Sequence, residues 1–209
     1  MSNNVTLQEN NVSIDTNNSE LSSILNIINN LPTGGGTDNR WLQVLEGTIT
    51  EIRSTEMTVL RVYCLYGCGD LTTLDLPNVT RSGSYSCRGC SALVNVNLPN
   101  ISTLGSGMFH TCTSLQTIDL PNVTSIGTNM FYGCTNLKTI ILRRTSLVSL
   151  GNVSAFADMP VESGTGYIYV PDNLVDSYKG ATNWSTYANQ ILPLSSLEDD
   201  GGIGGGGAP

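Results

Sequence analysis

One phrase of eleven residues recurs at a fixed period in the middle of the chain, and it constrains the fold more than any other feature. The pattern is C-x-x-L-x-x-L-x-L-P-N, where x is any residue. It occupies 68–78, 90–100 and 112–122, and a decayed copy occupies 134–144, so the period is 22. Residues that are one period apart take equivalent places in successive units of a stacked structure. The chain is therefore expected to form coils that lie one upon another.

The offsets of the leucine-type positions indicate the kind of coil. A period of about 20 to 29 residues with these offsets is typical of a leucine-rich repeat solenoid. Within each copy, apolar residues alternate with polar ones as in a short strand, and the following Pro-Asn ends that strand. The sequence predicts a solenoid of short parallel strands, mostly β with an irregular convex side, and about four 22-residue repeats. The predicted inward pairs are Leu74 and Leu76, Val96 and Leu98, Ile118 and Leu120, and Ile140 and Leu142.

The sequence on either side of the repeats divides the chain into five parts. Residues 1–40 are expected to form an N-terminal arm, with a short helix at 19–31 and a glycine-rich joint after it. Residues 41–64 are expected to cap the solenoid, which exposes its core at each end. The repeats occupy 65–156. A C-terminal cap occupies 157–197, and a flexible acidic, glycine-rich tail occupies 198–209.

The C-terminal cap is predicted to contain one strand followed by helices. The segment 166–172 is interpreted as the last strand, in which Ile168 continues the inward column of Ile140. A proline begins the first short helix, which ends near Tyr178. A second short helix is expected to end near Ile191.

The predicted N-terminal helix carries an apolar stripe with a and d spacing, over less than two heptads. A helix of this length is not stable alone in water. It either assembles as a small homo-oligomeric bundle, and so serves for attachment, or folds back on a neighbouring surface. The stripe consists of Leu21, Ile24, Ile28 and Leu31.

Composition and charge exclude several classes of function. The net charge is −8, the isoelectric point is near 4.4 and no basic stripe is present, so nucleic acid is not an expected partner. No apolar stretch reaches the roughly 18 to 20 residues that span a bilayer, which argues against membrane insertion. The first residues lack the features of a signal peptide. The chain is expected to stay in the cytoplasm of the producing cell unless something larger carries it out.

The cysteines imitate a metal site. The pairs Cys64 with Cys68 and Cys87 with Cys90 have the spacing of zinc ligands. However, the repeat places Cys68 and Cys90 in one column, with about 5 Å between neighbouring coils. Buried free thiols, disulfides between coils and a zinc site are the three interpretations, and the repeat favours the first. No cofactor is expected.

The side chains that could support catalysis also occupy repeat positions. Asp75 and Asp119 project from one outer column, two coils and about 10 Å apart, without a nucleophile or base beside them. His110 is the only histidine and lies in a surface column, where the repeat provides no fixed partner. We therefore predict that the protein is not an enzyme. The surface column, a second possible binding face, consists of Tyr66, Arg88, His110 and Tyr132.

The repeat and the segment after it together resemble a known family. The phrase L-x-x-L-x-L-P-N, an apolar column and then G-x-x-x-F-x-x-C, as at 127–134, resembles the BspA-like leucine-rich repeat family. The ending at 168–185 looks like the closing segment common in such proteins from gut bacteria and their prophages. The resemblance covers roughly 47–197.

The resemblance implies a noncatalytic recognition or adhesion protein. Family members usually act as surface adhesins and carry export or anchoring signals. Members that lack such signals but begin with a short helix and a glycine-rich joint look similar to phage tail or other virion accessory proteins. The expected function is that of a phage or prophage virion component that binds a host surface or assembles with other virion proteins. The alternative is a bacterial cell-surface adhesin or a fragment of one. Expected partners are a protein or glycan on a cell surface, or virion proteins.

The outward residues of the strands form a candidate binding strip that is polar, nearly uncharged and aromatic at one end. Such a surface favours hydrogen bonding and stacking over electrostatic steering, which suits a glycan or a protein loop. The alternative is that these residues serve only strand formation and solubility. One column is Thr73, Asn95, Thr117, Thr139 and Tyr167, and the other is Asp75, Asn97, Asp119, Ile141 and Tyr169.

Overall fold

Short strands alternate with turns along almost the whole of the part that the computed structural model describes, residues 4–8, 11–15, 50–55 and 57–199. The predicted helix at 19–31, its apolar stripe, the glycine-rich joint and most of the tail lie outside the described residues. The strands are β1 (Asn4–Gln8), β2 (Asn11–Asp15), β3 (Glu51–Arg53), β4 (Val59–Leu60), β5 (Thr73–Asp75), β6 (Arg81–Ser82), β7 (Asn95–Asn97), β8 (Thr117–Asp119), β9 (Ser125–Ile126), β10 (Thr139–Ile141), β11 (Ser149–Leu150), β12 (Tyr167–Val170) and β13 (Ile191–Pro193).

The described helices are short and cluster near the C-terminus. None of them is long and apolar enough to cross a membrane. The α-helices are α1 (Pro160–Ser163), α2 (Val175–Gly180) and α3 (Ser196–Asp199), and the 3₁₀ helices are η1 (Val153–Phe156), η2 (Asp172–Leu174) and η3 (Trp184–Gln190).

Each coil contributes one strand to a parallel ladder, which confirms the leucine-rich repeat solenoid. One ladder runs β3-β5-β7 and the other runs β8-β10-β12-β13. Strand β1 pairs in parallel with β3 and antiparallel with β2, so a hairpin extends the first ladder. Ile168 lies opposite Ile140, and this confirms the predicted register of β12.

A second row of strands lies in the other limb of the coils. Strand β4 pairs with β6, and β9 pairs with β11. Thr103 links the two pairs through single bridges to Arg81 and Ser125. The coils that begin at β3, β5, β8 and β10 therefore each have a main strand and a second short strand, and in the coil of β7 the bridge residue Thr103 takes the place of the second strand.

The strand register extends beyond the residues predicted to be repeats. Strand β3 lies within the predicted N-terminal cap, yet Ile52 pairs opposite Leu74 like any repeat residue. Strand β13 follows β12, so the prediction that 166–172 is the last strand is wrong. This strand begins directly after η3, the second short helix of the cap, which ends at Gln190. Pro193 suits this place, because a proline is tolerated where a strand lies at the edge of a sheet.

The inward columns form one continuous core. Leu71, Leu93 and Leu115 are fully buried, as are nearly all the predicted inward pairs; Val96 is partly buried. The rings of Phe109 and Phe131 stack in parallel with centroids 5.9 Å apart. Phe156 continues this stack at 6.1 Å, although its distance along the chain from Phe131 is longer than one repeat period.

Side chains of the C-terminal cap complete the hydrogen bonding of the last coil. The backbone N–H of Val148 donates to the Tyr178 hydroxyl over 3.0 Å, and the Trp184 indole N–H donates to the Val148 carbonyl over 2.7 Å. The Tyr187 hydroxyl donates to the Val153 carbonyl over 2.8 Å. All three rings are buried. The cap therefore covers the open end of the core and pairs backbone groups that have no further coil to meet.

Replacing Trp184 with phenylalanine tests this capping role. The variant Trp184→Phe is expected to lower the free energy of unfolding by about 1 to 3 kcal/mol, because the buried Val148 carbonyl loses its donor. Urea unfolding followed by circular dichroism measures the change. Tyr167→Phe is the control, since that ring is exposed and its change should stay within about 0.5 kcal/mol. Equal stabilities of the two variants would contradict the proposed role.

Two glycines allow neighbouring coils to approach closely. A Cβ atom on Gly105 would collide with the backbone of Gly83, and one on Gly83 would collide with the backbone of Val62. Gly127 has no such crowding, because the nearest atom to its added Cβ is the Ser106 hydroxyl at 3.8 Å. Close stacking therefore requires glycine at positions 83 and 105, whereas position 127 has room for a side chain.

Alanine at Gly105 and at Gly127 should have opposite consequences. Gly105→Ala is expected to lower the free energy of unfolding by about 1 to 3 kcal/mol through overpacking. Gly127→Ala should be neutral or slightly stabilising, because it restricts the unfolded chain without a clash. Thermal and urea unfolding of both variants checks this. The close approach is refuted if Gly105→Ala is as stable as the parent chain.

Candidate functional site

The strands bring the predicted strip residues together in two rows, as the repeat spacing requires. Cα partners across the ladders lie within one row, and neighbouring rows are offset by two residues along each strand. One row holds Thr73 and Asn95 in the first ladder and Thr117, Thr139 and Tyr167 in the second; the other holds Asp75 and Asn97, then Asp119, Ile141 and Tyr169.

Three strip residues are not available for contact. Thr73, Ile141 and Tyr169 are only 7%, 6% and 4% exposed. The prediction of two exposed tyrosines at one end of the strip is thus wrong for Tyr169, whereas Tyr167 is 39% exposed. Strand β13, which the sequence did not indicate, explains the difference: its Leu192 pairs opposite Tyr169 and continues the row.

The two aspartates of the strip are held in ion pairs. Arg53 donates to Asp75 over 3.0 Å, and Arg143 donates to Asp119 over 2.7 Å. The Asn97 amide also donates to Asp75 over 2.7 Å. These carboxylates are therefore engaged by neighbouring side chains and are not paired with each other. Exposed pairs of this kind contribute only about 0 to 1 kcal/mol each.

The sequence contained a signal for one of these partners. Arg53 precedes Asp75 by one repeat period, so the period alone could have placed it beside that carboxylate. Arg143 follows Asp119 by slightly more than one period, and the repeat does not predict this pairing.

The cysteines are buried, and several of them are hydrogen-bond donors. All six lie in the described part of the chain, and none of them forms a disulfide bond. Cys90 donates to the Leu65 carbonyl over 3.1 Å, and Cys134 donates to the Phe109 carbonyl over 2.9 Å. Each of these thiols thus adds a second donor to a carbonyl of the preceding coil, because Leu65 and Phe109 also accept from the N–H groups of Cys68 and Cys112. Among the described residues, no group of His, Cys, Asp and Glu side chains is placed to hold a metal ion.

Burial suppresses the ionisation of these thiols. Desolvation raises the pKa of Cys112 well above its ordinary value and raises the pKa of Cys134 to about 12. Desolvation also raises the pKa of Cys64. Because the thiolate is the nucleophile and the metal ligand, these side chains are inert at neutral pH.

The raised pKa values predict a loss of stability in alkali. Above about pH 8.5 the unfolded chain releases thiol protons that the folded chain retains, so rising pH favours unfolding. Each such thiol contributes a slope of up to about 1.4 kcal/mol per pH unit. Urea unfolding at several pH values from about 7.5 to 9.5 measures the slope. Cys112→Ala should show a shallower slope, although its cavity lowers stability at neutral pH. An unchanged slope in that variant would count against buried neutral thiols.

The surface column predicted from the repeat forms a chain of ring contacts. The rings of His110 and Tyr132 stack with centroids 4.9 Å apart. The Arg88 guanidinium lies 5.5 Å from the ring centroid of Tyr66 and 5.5 Å from that of Tyr85. All four column residues are half-buried. The repeat therefore brings together the residues that the sequence placed in this column.

Two tyrosines that the sequence analysis missed belong to the same surface. The rings of Tyr63 and Tyr85 stack with centroids 5.4 Å apart, and Tyr63 also meets Tyr66 edge to face at 5.7 Å. Tyr63 and Tyr85 are one period apart, which was the signal available. We call the whole surface the aromatic ribbon; it consists of Tyr63, Tyr66, Tyr85, Arg88, His110 and Tyr132.

The histidine of the ribbon is not arranged as a general base. Desolvation and the nearby Arg88 charge lower the pKa of His110, so the imidazole is neutral at pH 7. Its Nδ1 atom has no hydrogen-bond partner within the described part of the chain. A catalytic histidine of the hydrolase type needs an orienting partner there.

Comparisons with known proteins agree with the fold. Residues 58–176 match the BspA type leucine-rich repeat region, in six copies. No curated protein matches the chain. The match covers more coils than the four repeats that the sequence indicated.

Several solved structures have similar folds at low sequence identity. A leucine-rich repeat protein from T. pallidum has a TM-score of 0.50 at 21% identity, over 58% of this chain and 58% of that one. A leucine-rich cell surface protein from Faecalibacterium prausnitzii has a TM-score of 0.46 at 22% identity, over 59% and 39%. A leucine-rich repeat protein from Bacteroides ovatus has a TM-score of 0.49 at 23% identity, over 71% of this chain and 40% of that one. The matches therefore span between 39% and 58% of the lengths of those structures.

Proposed function

This chain belongs to the BspA type leucine-rich repeat family, and we propose that it is a noncatalytic recognition or adhesion protein of the bacterial cell-surface kind. The observation that carries the proposal is a division of roles within each coil. The inward positions are aliphatic in every coil and nearly all of them are buried, whereas the outward positions range over Thr, Asn, Asp, Ile and Tyr. A scaffold of this kind presents variable side chains on a constant frame.

The side chains that could take part in catalysis support the same proposal, because they form structural contacts within the scaffold. The thiols donate to carbonyls inside the core. Asp75 and Asp119 pair with arginines. His110 stacks on Tyr132. Across the residues that the structure describes, none of these groups is combined with a second one as acid, base or nucleophile.

The cell-surface interpretation takes precedence over the virion interpretation. The family resemblance associates these repeats with surface adhesins. Neither the family match nor the similar structure from T. pallidum points to a viral particle. The location that we propose is therefore the bacterial surface, with a protein or glycan of another cell as the partner.

Within this function, the exposed part of the strip is the first proposed contact surface. Asn95, Asn97 and Tyr167 are exposed, and Thr117 and Thr139 are half-buried. Amides, hydroxyls and one aromatic ring supply hydrogen bonds and apolar contact without charge. The three buried strip residues are excluded from it, and the paired aspartates serve to hold neighbouring side chains in place.

Binding to cells tests both parts of the proposal. The purified chain, fluorescently labelled, is applied to cultured epithelial cells and to a glycan array. The combined variant Asn95→Ala, Asn97→Ala and Tyr167→Ala is expected to reduce saturable binding about tenfold or more, since loss of a few central contacts removes most interface energy.

The control variant changes two exposed asparagines elsewhere, Asn173→Ala and Asn189→Ala, and should bind like the parent chain. No saturable binding by the parent chain would overturn the recognition function. Equal binding by the parent chain and the strip variant would overturn only the role of the strip.

A further inference from the structure

Two tyrosines of the aromatic ribbon occupy a backbone conformation that their side chains disfavour. The φ angles of Tyr63 and Tyr85 are 56° and 57°, in the left-handed region where bulky residues are rare. The next two coils place Gly107 and Asn129 at the equivalent position, with φ angles of 60° and 54°. Glycine and asparagine are the residues that tolerate this region best.

The strain at these positions is not offset by burial in the core. Tyr63 is 42% exposed, and glycine or asparagine would complete the turn at a lower conformational cost. Strained residues persist where the side chain has a role. The tyrosine rings themselves, and not the turns, are therefore the feature that needs an explanation.

The rings of the ribbon pack against one another and against the backbone before any partner arrives. The Tyr85 ring lies directly over Gly107, where an added Cβ would collide with two ring carbons. Tyr63 stacks on Tyr85 with an angle of 11° between the ring planes. Side chains that are already ordered lose little conformational entropy on binding, so this surface is suited to recognition.

The ribbon carries a positive charge at one end. Arg88 lies against the rings of Tyr66 and Tyr85, and its guanidinium makes no ion pair with any carboxylate of the described residues. Arg61 and Arg81 are exposed on the same two coils and likewise form no ion pair there. In a chain of net charge −8, three cations on two neighbouring coils that form no ion pair within the described ranges favour an anionic partner.

The other end of the ribbon has the opposite charge. Asp158 beside Tyr132 raises the pKa of that phenol through a side-chain hydrogen bond, and Glu162 accepts a hydrogen bond from the Asp158 backbone N–H. An anion is therefore expected at Arg88 and excluded from the vicinity of Tyr132. His110 lies between the two ends and is neutral at pH 7.

The character of the exposed atoms indicates the class of partner. The ribbon runs across four coils and consists of four tyrosines, one histidine and one arginine. Of the large exposed hydrophobic residues in the described chain, only Val62 and Tyr63 lie on it or beside it. The apolar centre that most protein interfaces contain is therefore small. A linear polymer of hydroxylated rings that bear carboxylates contacts aromatic rings, hydroxyl groups and a guanidinium at the same time.

We propose that the aromatic ribbon binds an anionic polysaccharide. Arg88 pairs with a carboxylate of the sugar chain, and Tyr63, Tyr66 and Tyr85 pack against neighbouring sugar rings and donate hydrogen bonds to them. This proposal rests on the proposed recognition function and assigns to it a second surface, formed by turn segments and separate from the strand strip.

The test compares defined polymers on the intact chain. Hyaluronate, polygalacturonate and polysialic acid are immobilised, with neutral dextran and poly-L-glutamate as comparison polymers. Binding is expected for at least one acidic polysaccharide and not for dextran or polyglutamate. Arg88→Gln should weaken that binding about tenfold or more, the usual effect of losing a charge-assisted hydrogen bond. Arg144→Gln, a cation at the opposite end of the repeats, is the matched control and should bind like the parent chain.

A second variant separates binding from stability. Tyr63→Asn places at this position the residue type that Asn129 supplies in a later coil, so its melting temperature should be unchanged or higher while binding falls. Equal binding of polyglutamate and polysaccharide would overturn the proposal in favour of an acidic protein partner. No binding of any acidic polysaccharide, or full binding by Arg88→Gln, would also overturn it. Cell binding that persists in these cases leaves the recognition function standing without the ribbon.

Discussion

Hydrogen bonds between the backbones of neighbouring coils are the interaction on which the rest of this structure depends. The Val94 N–H donates to the Thr72 carbonyl over 3.0 Å, and the Ser102 N–H donates to the Thr80 carbonyl over 2.9 Å. Each bond joins two residues that are one repeat period apart. Because buried backbone groups must be paired, each coil needs a neighbour at a constant offset. The period of the sequence is therefore the period of the hydrogen bonding, and the glycines at 83 and 105 keep the coils close enough for it.

The recurring asparagines and cysteines of the repeat also form hydrogen bonds between neighbouring coils. The Asn100 amide donates to the Pro77 carbonyl over 2.8 Å, and the Asn122 amide donates to the Pro99 carbonyl over 2.7 Å. The Cys112 thiol likewise donates to the Cys87 carbonyl. Carbonyls outside the ladders thus accept hydrogen bonds from side chains of the adjacent coil. This is the physical reason why asparagine and cysteine recur in the repeat, and why the recurrence of cysteine does not by itself indicate a metal site.

Because the scaffold pairs its own hydrogen-bonding groups in this way, function is left to the residues that differ between coils. They lie on two surfaces of different character. The strand strip is uncharged where it is exposed, and its aspartates are neutralised by Arg53 and Arg143. The aromatic ribbon is rich in rings, carries Arg88 without a carboxylate partner among the described residues, and retains strained backbone at Tyr63 and Tyr85. The backbone strain lies on the ribbon, whereas the charged residues of the strip pair with neighbouring side chains. The ribbon is therefore the more specialised of the two surfaces.

The sequence by itself determined the repeat, the inward columns, the register of β12 on β10, and the alignment of the strip residues and of four of the six ribbon residues. It could do so because a fixed period places equivalent residues in the same position of every coil. Only the tertiary structure decided what the nonrepeating segments cover. Strand β13 extends the row of Tyr169, Phe156 joins the phenylalanine stack after a longer step, and Arg143 reaches Asp119. These contacts depend on where the chain returns in space, and no periodicity in the sequence records that path.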